Sequence, residues 1–317
     1  YAMLHIDTNY EEAIKVKQDA WQNILRVLPP PLGEALKRRT DGGDVTELRI
    51  RCGSFASIAR FGKAGSERIE VLTDARYCRR LLDNLSQHGL YRIEEKLKAG
   101  CLTLAGGVRV GVTGITQETS GLIFPVTSFC FRVPREVVGC AEELMKNICG
   151  KNGYESTLIV SPPGAGKTTM LRDMIRIASD DGFRVAVADE RHELCAMDDG
   201  GAAFDIGSET DVMSAMPKSR AIMRMLRSMA PQVIVCDEIG SKQDAAALAE
   251  ACRCGVRVFA SAHAWDEEAL VRRETLRECL QSGAFSKIAV LDEKSRGRVK
   301  RIVSVEEMMK KAKAESI

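Results

Sequence analysis

The 317-residue sequence is poor in aromatic residues and carries almost no net charge. Phe, Trp and Tyr together make up 5% of the residues, and the formal net charge at pH 7 is +2. Proteins that translocate single strands of nucleic acid stack the bases on aromatic side chains within a basic groove. The composition therefore argues against nucleic acid as the main substrate, and it predicts no attraction to an anionic membrane surface.

Long apolar segments and an N-terminal leader pattern are also missing. No stretch reaches the roughly 18 apolar residues that a membrane-spanning helix requires, and the first residues lack a signal-peptide pattern. We therefore expect a cytoplasmic protein, whose eleven scattered cysteines are mostly small buried hydrophobic residues. Cys252 and Cys254 form the one close pair, and neither a second pair nor clustered histidines complete a zinc site.

The strongest positive signal is a glycine-rich loop that follows an apolar, strand-like stretch and precedes an amphipathic, helix-like one. Its sequence is Ser161-Pro162-Pro163-Gly164-Ala165-Gly166-Lys167-Thr168-Thr169. Glycines let backbone N–H groups converge on a phosphate, and the N-terminus of the next helix adds partial positive charge. These nine residues are expected to bind ATP, with Lys167 at the β- and γ-phosphates and Thr168 on Mg²⁺. Ser161 stands where the first loop glycine is usual, so we expect altered affinity and a retained site.

Acidic residues end two of the predicted strands of the second half, at the edge where parallel sheets bind ligands. Asp237 is suited to the second shell of the metal, and Glu238 to orienting or activating the attacking water. Glu190 should approach the same phosphate, either holding the Mg²⁺ water shell or preparing the nucleophile. The alternatives are a strand that merely ends at the surface and, for Asp189 and Glu190, a local ion pair with Arg191.

Two further features carry open alternatives. His263 follows a third predicted strand and is either a γ-phosphate sensor or an ordinary loop histidine. Arg220, Arg224 and Arg227 share one face of a predicted helix. That face is either solvated or meets an acidic neighbour or a phosphate.

The two parts of the chain differ in their pattern of strand-like and helix-like segments, which predicts two domains. Residues 1–145 predict an α+β domain with an antiparallel sheet, built from hairpins near residues 102–115 and around Gly121. Residues 146–317 alternate short apolar strands with helices, which predicts a mostly parallel sheet. The end of the chain predicts an antiparallel hairpin, and no G-x-G-x-x-G follows a strand. The fold class is therefore α/β, with a RecA-like P-loop NTPase domain preceded by a smaller α+β domain.

The ordered motifs of the chain resemble the stage III sporulation protein AA family, which is related to secretion and pilus-motor ATPases. The markers are residues 46–51, 104–111, 131–137, 189–191, 210–212 and 236–240, the phosphate loop and Ala262-His263. The resemblance implies that Lys167 and Thr168 bind nucleotide, that Glu190 is the acidic-box glutamate, Glu238 the Walker B glutamate and His263 the histidine box. The sequence departs from the family pattern at three positions. Ser161 replaces the first loop glycine, His192 stands where a small polar residue is more usual, and Glu209 stands where an arginine is more familiar.

Together, these patterns predict a Mg²⁺-dependent ATPase. By resemblance, it drives assembly of, or transport through, a secretion-like channel between mother cell and forespore. It would lie on the mother-cell side of the membrane, held there by channel proteins. The alternatives are a nucleotide-gated scaffold with little hydrolysis and a nucleic-acid translocase. An ABC-type ATPase is excluded because no Leu-Ser-Gly-Gly signature follows the loop.

Assembly of several copies is expected because an ATP bound at the surface of a P-loop domain needs an added positive charge. Arg109, Arg132 and Arg135 are candidates to reach the γ-phosphate of a neighbouring subunit. The alternative is that they lie on exposed sheet edges. Head-to-tail contacts of this kind close into a ring or continue into a filament, and the resemblance favours a ring of six subunits.

Overall fold

The computed structural model of the protein describes residues 14–15, 18–61, 63–87, 89–134, 136–197, 201–293, 295 and 297–314. Internal contacts divide them into an N-terminal unit, residues 14–136 and 201–204, and a C-terminal unit, residues 137–197 and 205–314. The grouping changes between Glu136 and Val137. The domain boundary expected at residues 145 and 146 stays a prediction.

The N-terminal unit contains a six-stranded antiparallel sheet, with two helices before its first strand and two between its third and fourth strands. The strands are β1 (Val45–Arg51), β2 (Ser54–Arg60), β3 (Ser66–Thr73), β4 (Cys101–Leu104), β5 (Val108–Thr116) and β6 (Ile123–Arg132). The helices are α1 (Gln18–Val27), α2 (Leu32–Arg39), α3 (Ala75–Leu85) and α4 (Glu94–Lys98), with a 3₁₀ turn at Leu90–Ile93. The strand order is β3-β2-β1-β6-β5-β4, and all neighbours run antiparallel.

One face of this sheet is apolar and the other is polar, as period-two alternation dictates. Leu48 and Phe131 are fully buried in the core of the unit. Arg49 and Arg132 lie on the opposite face and are exposed. The antiparallel α+β character expected of the first part of the chain is therefore present. Strand β3 and helix α2 were not predicted from the sequence.

The C-terminal unit contains a seven-stranded, mostly parallel sheet. Its strands are β7 (Thr157–Ser161), β8 (Val185–Asp189), β9 (Thr210–Ser214), β10 (Val233–Glu238), β11 (Arg257–His263), β12 (Lys287–Leu291) and β13 (Val299–Ser304). Its helices are α5 (Glu142–Ile148), α6 (Lys167–Asp180), α7 (Lys218–Ser228), α8 (Lys242–Arg253), α9 (Glu267–Arg272), α10 (Glu274–Gln281) and α11 (Val305–Ala314). Two-residue strands occur at Ile14–Lys15, Glu136–Val137, Cys149–Gly150 and Gly153–Tyr154.

The strand order of this sheet is β9-β8-β10-β11-β7-β12-β13. All neighbours are parallel except the final pair, β12 and β13, which form the expected antiparallel hairpin. Strands β7 and β8 are buried along their whole length, as parallel strands covered on both faces must be. Strand β9 was not predicted, because residues 210–214 read as a polar stretch and the strand lies at the sheet edge.

Trp21 makes the core of the N-terminal unit sensitive to one glycine. Gly42 has φ +88°, and a Cβ at that position would meet the Trp21 ring at 2.1 Å. Gly53 has a similar φ of +76° but nothing within 4 Å of an added Cβ. The pair therefore separates the cost of a left-handed backbone from the cost of a steric clash.

We expect Gly42→Ala to lower the free energy of unfolding by about 2–5 kcal/mol, because strain and overpacking add. The matched control Gly53→Ala should cost about 1–2 kcal/mol, from backbone strain alone. Urea unfolding followed by the fluorescence of Trp21 in a Trp265→Phe background measures both. Equal costs for the two substitutions would contradict the packing of Trp21 against Gly42.

Candidate functional site

The glycine-rich loop connects β7 to α6 and takes a backbone shape that its glycines permit. Gly164 has φ +79° and Gly166 has φ +100°, both in the left-handed region that L side chains rarely adopt. Helix α6 begins directly at Lys167. The carbonyl of Ala165 accepts a hydrogen bond of 3.0 Å from the Gly297 N–H, in the loop between β12 and β13. This geometry is that of a backbone nest before a helix N-terminus, which favours an anion.

The Lys167 side chain is buried and folds back over the start of the loop. Its ammonium donates to the carbonyls of Ser161 and Pro162 at 3.0 and 3.1 Å, and lies 3.3 Å from the Ser161 hydroxyl oxygen. Burial lowers the pKa of Lys167 to about 8, and the negative charge of Glu238 acts in the opposite direction. Ser161, the departure from the glycine pattern, thus supplies a polar contact to the lysine.

His263 connects the phosphate loop to the acidic end of β10. Its Nδ1 lies 2.8 Å from the Lys167 Nζ, and its Nε2 lies 3.3 Å from a carboxylate oxygen of Glu238. An ammonium can only donate, so Nδ1 accepts and the Nε2–H points to Glu238; this tautomer is assigned from the hydrogen-bond network. The three residues form one contact chain. Sheet register explains it, since His263 is paired with Ser161, and Glu238 with Ser261.

Asp237 is engaged by a lysine that the sequence analysis did not single out. Lys218 is the buried first residue of α7. Its ammonium contacts the Asp237 carboxylate and lies 2.5 Å from the Glu238 carbonyl. Burial acts to lower the pKa of Lys218, but the hydrogen bond with Asp237 leaves it raised, so the ammonium stays charged. A lysine at the start of a helix is electrostatically unfavourable, and this was the available signal.

The two acids at the end of β8, Asp189 and Glu190, make different contacts. Asp189 is fully buried, and its carboxylate accepts backbone hydrogen bonds from Glu193, Leu194 and Cys195 at 2.8, 3.1 and 2.8 Å. It thus holds the turn that follows the strand. The Glu190 carboxylate lies 3.9 Å from the Lys218 Nζ and 3.4 Å from its backbone N. Glu190 and Asp237 therefore share one lysine at the carboxyl ends of β8 and β10.

The helix side of the site offers oxygen ligands but no preformed metal cage. Thr168 and Thr169 are half-buried on the first turn of α6. Within the part of the chain that the structure describes, no three His, Cys, Asp or Glu side chains cluster as a metal site. Mg²⁺ is usually held by one or two protein oxygens together with substrate phosphates and water. Thr168 and Asp237 fit that arrangement, with Asp237 also bound to Lys218.

The candidate arginines come from the first part of the chain, and Glu209 precedes β9. Arg109 and Arg132 belong to the N-terminal unit, where they face each other on β5 and β6. Arg135 lies outside the described residues. Glu209 precedes β9, and its carbonyl accepts from the Val185 N–H at the start of β8. It therefore lies at the amino ends of the strands, whereas the phosphate loop lies at their carboxyl ends.

Arg220, Arg224 and Arg227 are exposed on α7, opposite its buried residues Ala221 and Met225. Among the described residues, no helix combines the length and the apolar character needed to cross a bilayer.

We expect Asp189→Ala to lower the free energy of unfolding by about 2–4 kcal/mol, because it leaves buried N–H groups without their acceptor. Asp211, which is exposed on β9, is the matched control, and Asp211→Ala should leave stability nearly unchanged. Urea denaturation of both variants measures the difference. Equal stability of the two would show that the carboxylate of Asp189 does not hold the turn.

Comparisons with known proteins agree with this architecture. The chain is 34% identical over 274 residues to stage III sporulation protein AA of Bacillus subtilis, covering 83% of this chain and 88% of that protein. Its fold is similar to that of the ATPase DotB of Legionella pneumophila, at 15% identity and a TM-score of 0.57, over 86% of this chain and 80% of DotB. The structure of the pilus retraction motor PilT with bound ADP is 16% identical, with a TM-score of 0.52, over 78% of this chain and 74% of PilT.

These structural similarities confirm the predicted fold class, an α/β RecA-like unit preceded by a smaller unit with an antiparallel sheet. The family model for sporulation stage III, protein AA, matches residues 18–308, which is most of the chain. The match includes both units and every residue of the contact chain between the phosphate loop, His263 and Glu238. The chain therefore belongs to the family of sporulation stage III protein AA.

Proposed function

We propose that this protein hydrolyses ATP in a Mg²⁺-dependent reaction. We further propose that hydrolysis drives assembly of, or transport through, a secretion-like channel between mother cell and forespore during sporulation. The observation that carries the proposal is the contact chain from Lys167 through His263 to Glu238. It connects the proposed phosphate-binding loop to the carboxylate that we propose acts on water, and phosphoryl transfer to water depends on both together with a positioned metal.

The phosphate loop supplies binding. The Lys167 ammonium now contacts carbonyls of its own loop, and phosphate oxygens would replace them as stronger, charged acceptors. A bound phosphate would also favour the charged form of Lys167, which burial disfavours. Ser161 to Thr169 form the proposed nucleotide site. The pilus retraction motor PilT, solved with ADP, shares the fold, which supports a nucleotide in this loop.

The acidic residues at the carboxyl end of β10, Asp237 and Glu238, would support the reaction itself. One Glu238 carboxylate oxygen receives the Nε2–H of His263, so the other is available to orient water and accept its proton. His263 links that carboxylate to Lys167, so occupancy of the loop and the position of the base are coupled. Bound Mg²⁺ would neutralise charge on the phosphates, held by Thr168 with Asp237 in its second shell. Glu190 would support this edge through Lys218.

Oligomerisation completes the proposal. Arg109, Arg132 and Arg135 are proposed to reach the γ-phosphate of a neighbouring copy in a ring of six subunits. Arg132 is exposed, as a residue that reaches a second subunit must be.

The proposed location is the mother-cell cytoplasm, with the ring attached to channel proteins at the membrane. The match to the sporulation stage III, protein AA family supports this location, and no nucleic acid is expected as a partner.

A nucleotide-gated scaffold is the second candidate. It is favoured by one observation: Lys218 already neutralises Asp237 at the acidic edge, which lessens the need for a metal there. Such a protein would bind ATP and change its assembly with little turnover. Steady-state ATP turnover by the purified protein distinguishes the two functions, and turnover unchanged by single-stranded DNA argues against a translocase.

We expect Glu238→Gln to keep ATP binding and to slow hydrolysis by about 10²–10⁴-fold, the usual share of a positioned acid–base group. Lys167→Ala should instead abolish binding, because the loop loses its cation at the β- and γ-phosphates. Titration with a fluorescent ATP analogue and single-turnover hydrolysis measure the two effects. Undiminished turnover in Glu238→Gln, or undiminished affinity in Lys167→Ala, would contradict the proposed roles.

A mixing experiment tests whether arginines act between subunits. Arg132→Ala should lower turnover, by as much as about 10³-fold if it alone serves as the finger. Mixed with Glu238→Gln subunits, it should regain activity, because some interfaces then combine an intact Glu238 with an intact Arg132. Arg38→Ala, an exposed arginine of α2, is the control and should behave as wild type. Loss of activity without recovery on mixing would show that Arg132 does not act in trans.

A further inference from the structure

The end of β10 is irregular at the position where the proposed chemistry occurs. Val235 pairs with Phe259, but Glu238 pairs with Ser261, so β10 uses three steps where β11 uses two. The extra residue makes a β-bulge around Cys236 and Asp237. Bulges bend a strand and re-aim the side chains that follow. The bulge therefore decides where the Glu238 carboxylate points.

Lys218 contacts the bulge and the residue that follows it. Its ammonium binds the Asp237 carboxylate and the Glu238 carbonyl, while Glu190 lies 3.9 Å away. The lysine is 6% exposed and stands at the N-terminus of α7, where the helix dipole disfavours a cation. Burial and the helix dipole thus both disfavour the charged ammonium of Lys218. The contacts that offset them lie at the bulge and at Glu190, and the negative charge of Asp244 adds to them.

We propose that Lys218 is a positioning residue for ATP hydrolysis, which acts by holding the β10 bulge so that Glu238 faces His263 and the attacking water. This inference rests on the proposed function. It deepens that function, because the aim of the catalytic carboxylate then depends on a residue from a different helix. Lys218 need not touch the nucleotide for this role.

The chain offers a matched control. Lys242 is also the first residue of a helix, α8, in the same unit. Its side chain is 59% exposed and pairs with Glu274 and Glu278 at 3.4 and 3.8 Å on the surface. Lys242→Met removes the same charge from an equivalent helix position without touching the bulge, so it should behave as wild type.

The experiment compares Lys218→Met, Lys218→Arg, Glu238→Gln and the double variant Lys218→Met/Glu238→Gln in the full chain. Thermal unfolding first establishes that each is folded. Affinity for a fluorescent ATP analogue is then measured with and without Mg²⁺, and hydrolysis is measured in single turnover. Lys218→Arg keeps the charge and guards against a Lys218→Met variant that does not fold.

The expected result is a loss of about 10–100-fold in the hydrolysis rate of Lys218→Met, as for other residues that orient a catalytic group. ATP affinity should stay within about threefold of wild type, because ground-state binding is not its role. Lys218→Arg should recover part of the rate. In the Glu238→Gln background, Lys218→Met should change the rate by less than about twofold, because the group that it positions is already disabled.

Three results would overturn the inference. The first is an unchanged rate in folded Lys218→Met, the second a loss of ATP affinity as large as the loss of rate. The third is an equal loss of rate in both backgrounds, which would mean that Lys218 acts independently of Glu238. Absence of turnover in the wild-type protein, with ATP binding intact, would instead remove the proposed function and this role with it.

Discussion

Buried lysine ammonium groups hold together the sheet edge on which the proposed chemistry depends. Lys167 and Lys218 are each at least nine-tenths buried, and a buried charge is stable only when polar groups surround it. Lys167 draws the start of the phosphate loop and His263 together. Lys218 draws the ends of β8 and β10 together through Glu190 and Asp237. The acids and the loop are therefore held in place by contacts within the protein itself.

The parallel sheet makes this arrangement possible, because it brings segments distant in sequence to one edge. Ser161, Asp189, Glu238 and His263 each end a strand, and parallel strands present their carboxyl ends together. The bulge in β10 then determines the direction in which the Glu238 side chain points. The N-terminal unit follows a different logic, since its antiparallel sheet buries one face and leaves arginines such as Arg132 on the other.

Much of the fold and of the candidate site followed from local patterns. The phosphate loop, the strand before it and the acids at the ends of β8 and β10 are short-range signals that tertiary context did not override. Strand β9 was missed because an edge strand needs no continuous apolar run. For Asp189 the sequence suggested only an ion pair with Arg191, and its backbone hydrogen bonds depend on a turn that propensities do not specify.

The sequence by itself determined the class of the fold, the phosphate loop and the family, because glycine spacing, strand periodicity and motif order are properties of neighbouring residues. The tertiary structure alone decided which side chains meet. Lys167 and His263 are 96 residues apart, and Lys218 and Asp237 are 19 apart. Their contacts arise from sheet register and from the docking of α7. Pairing over such separations depends on packing of the whole sheet, so no local pattern could announce Lys218 as the partner of Asp237.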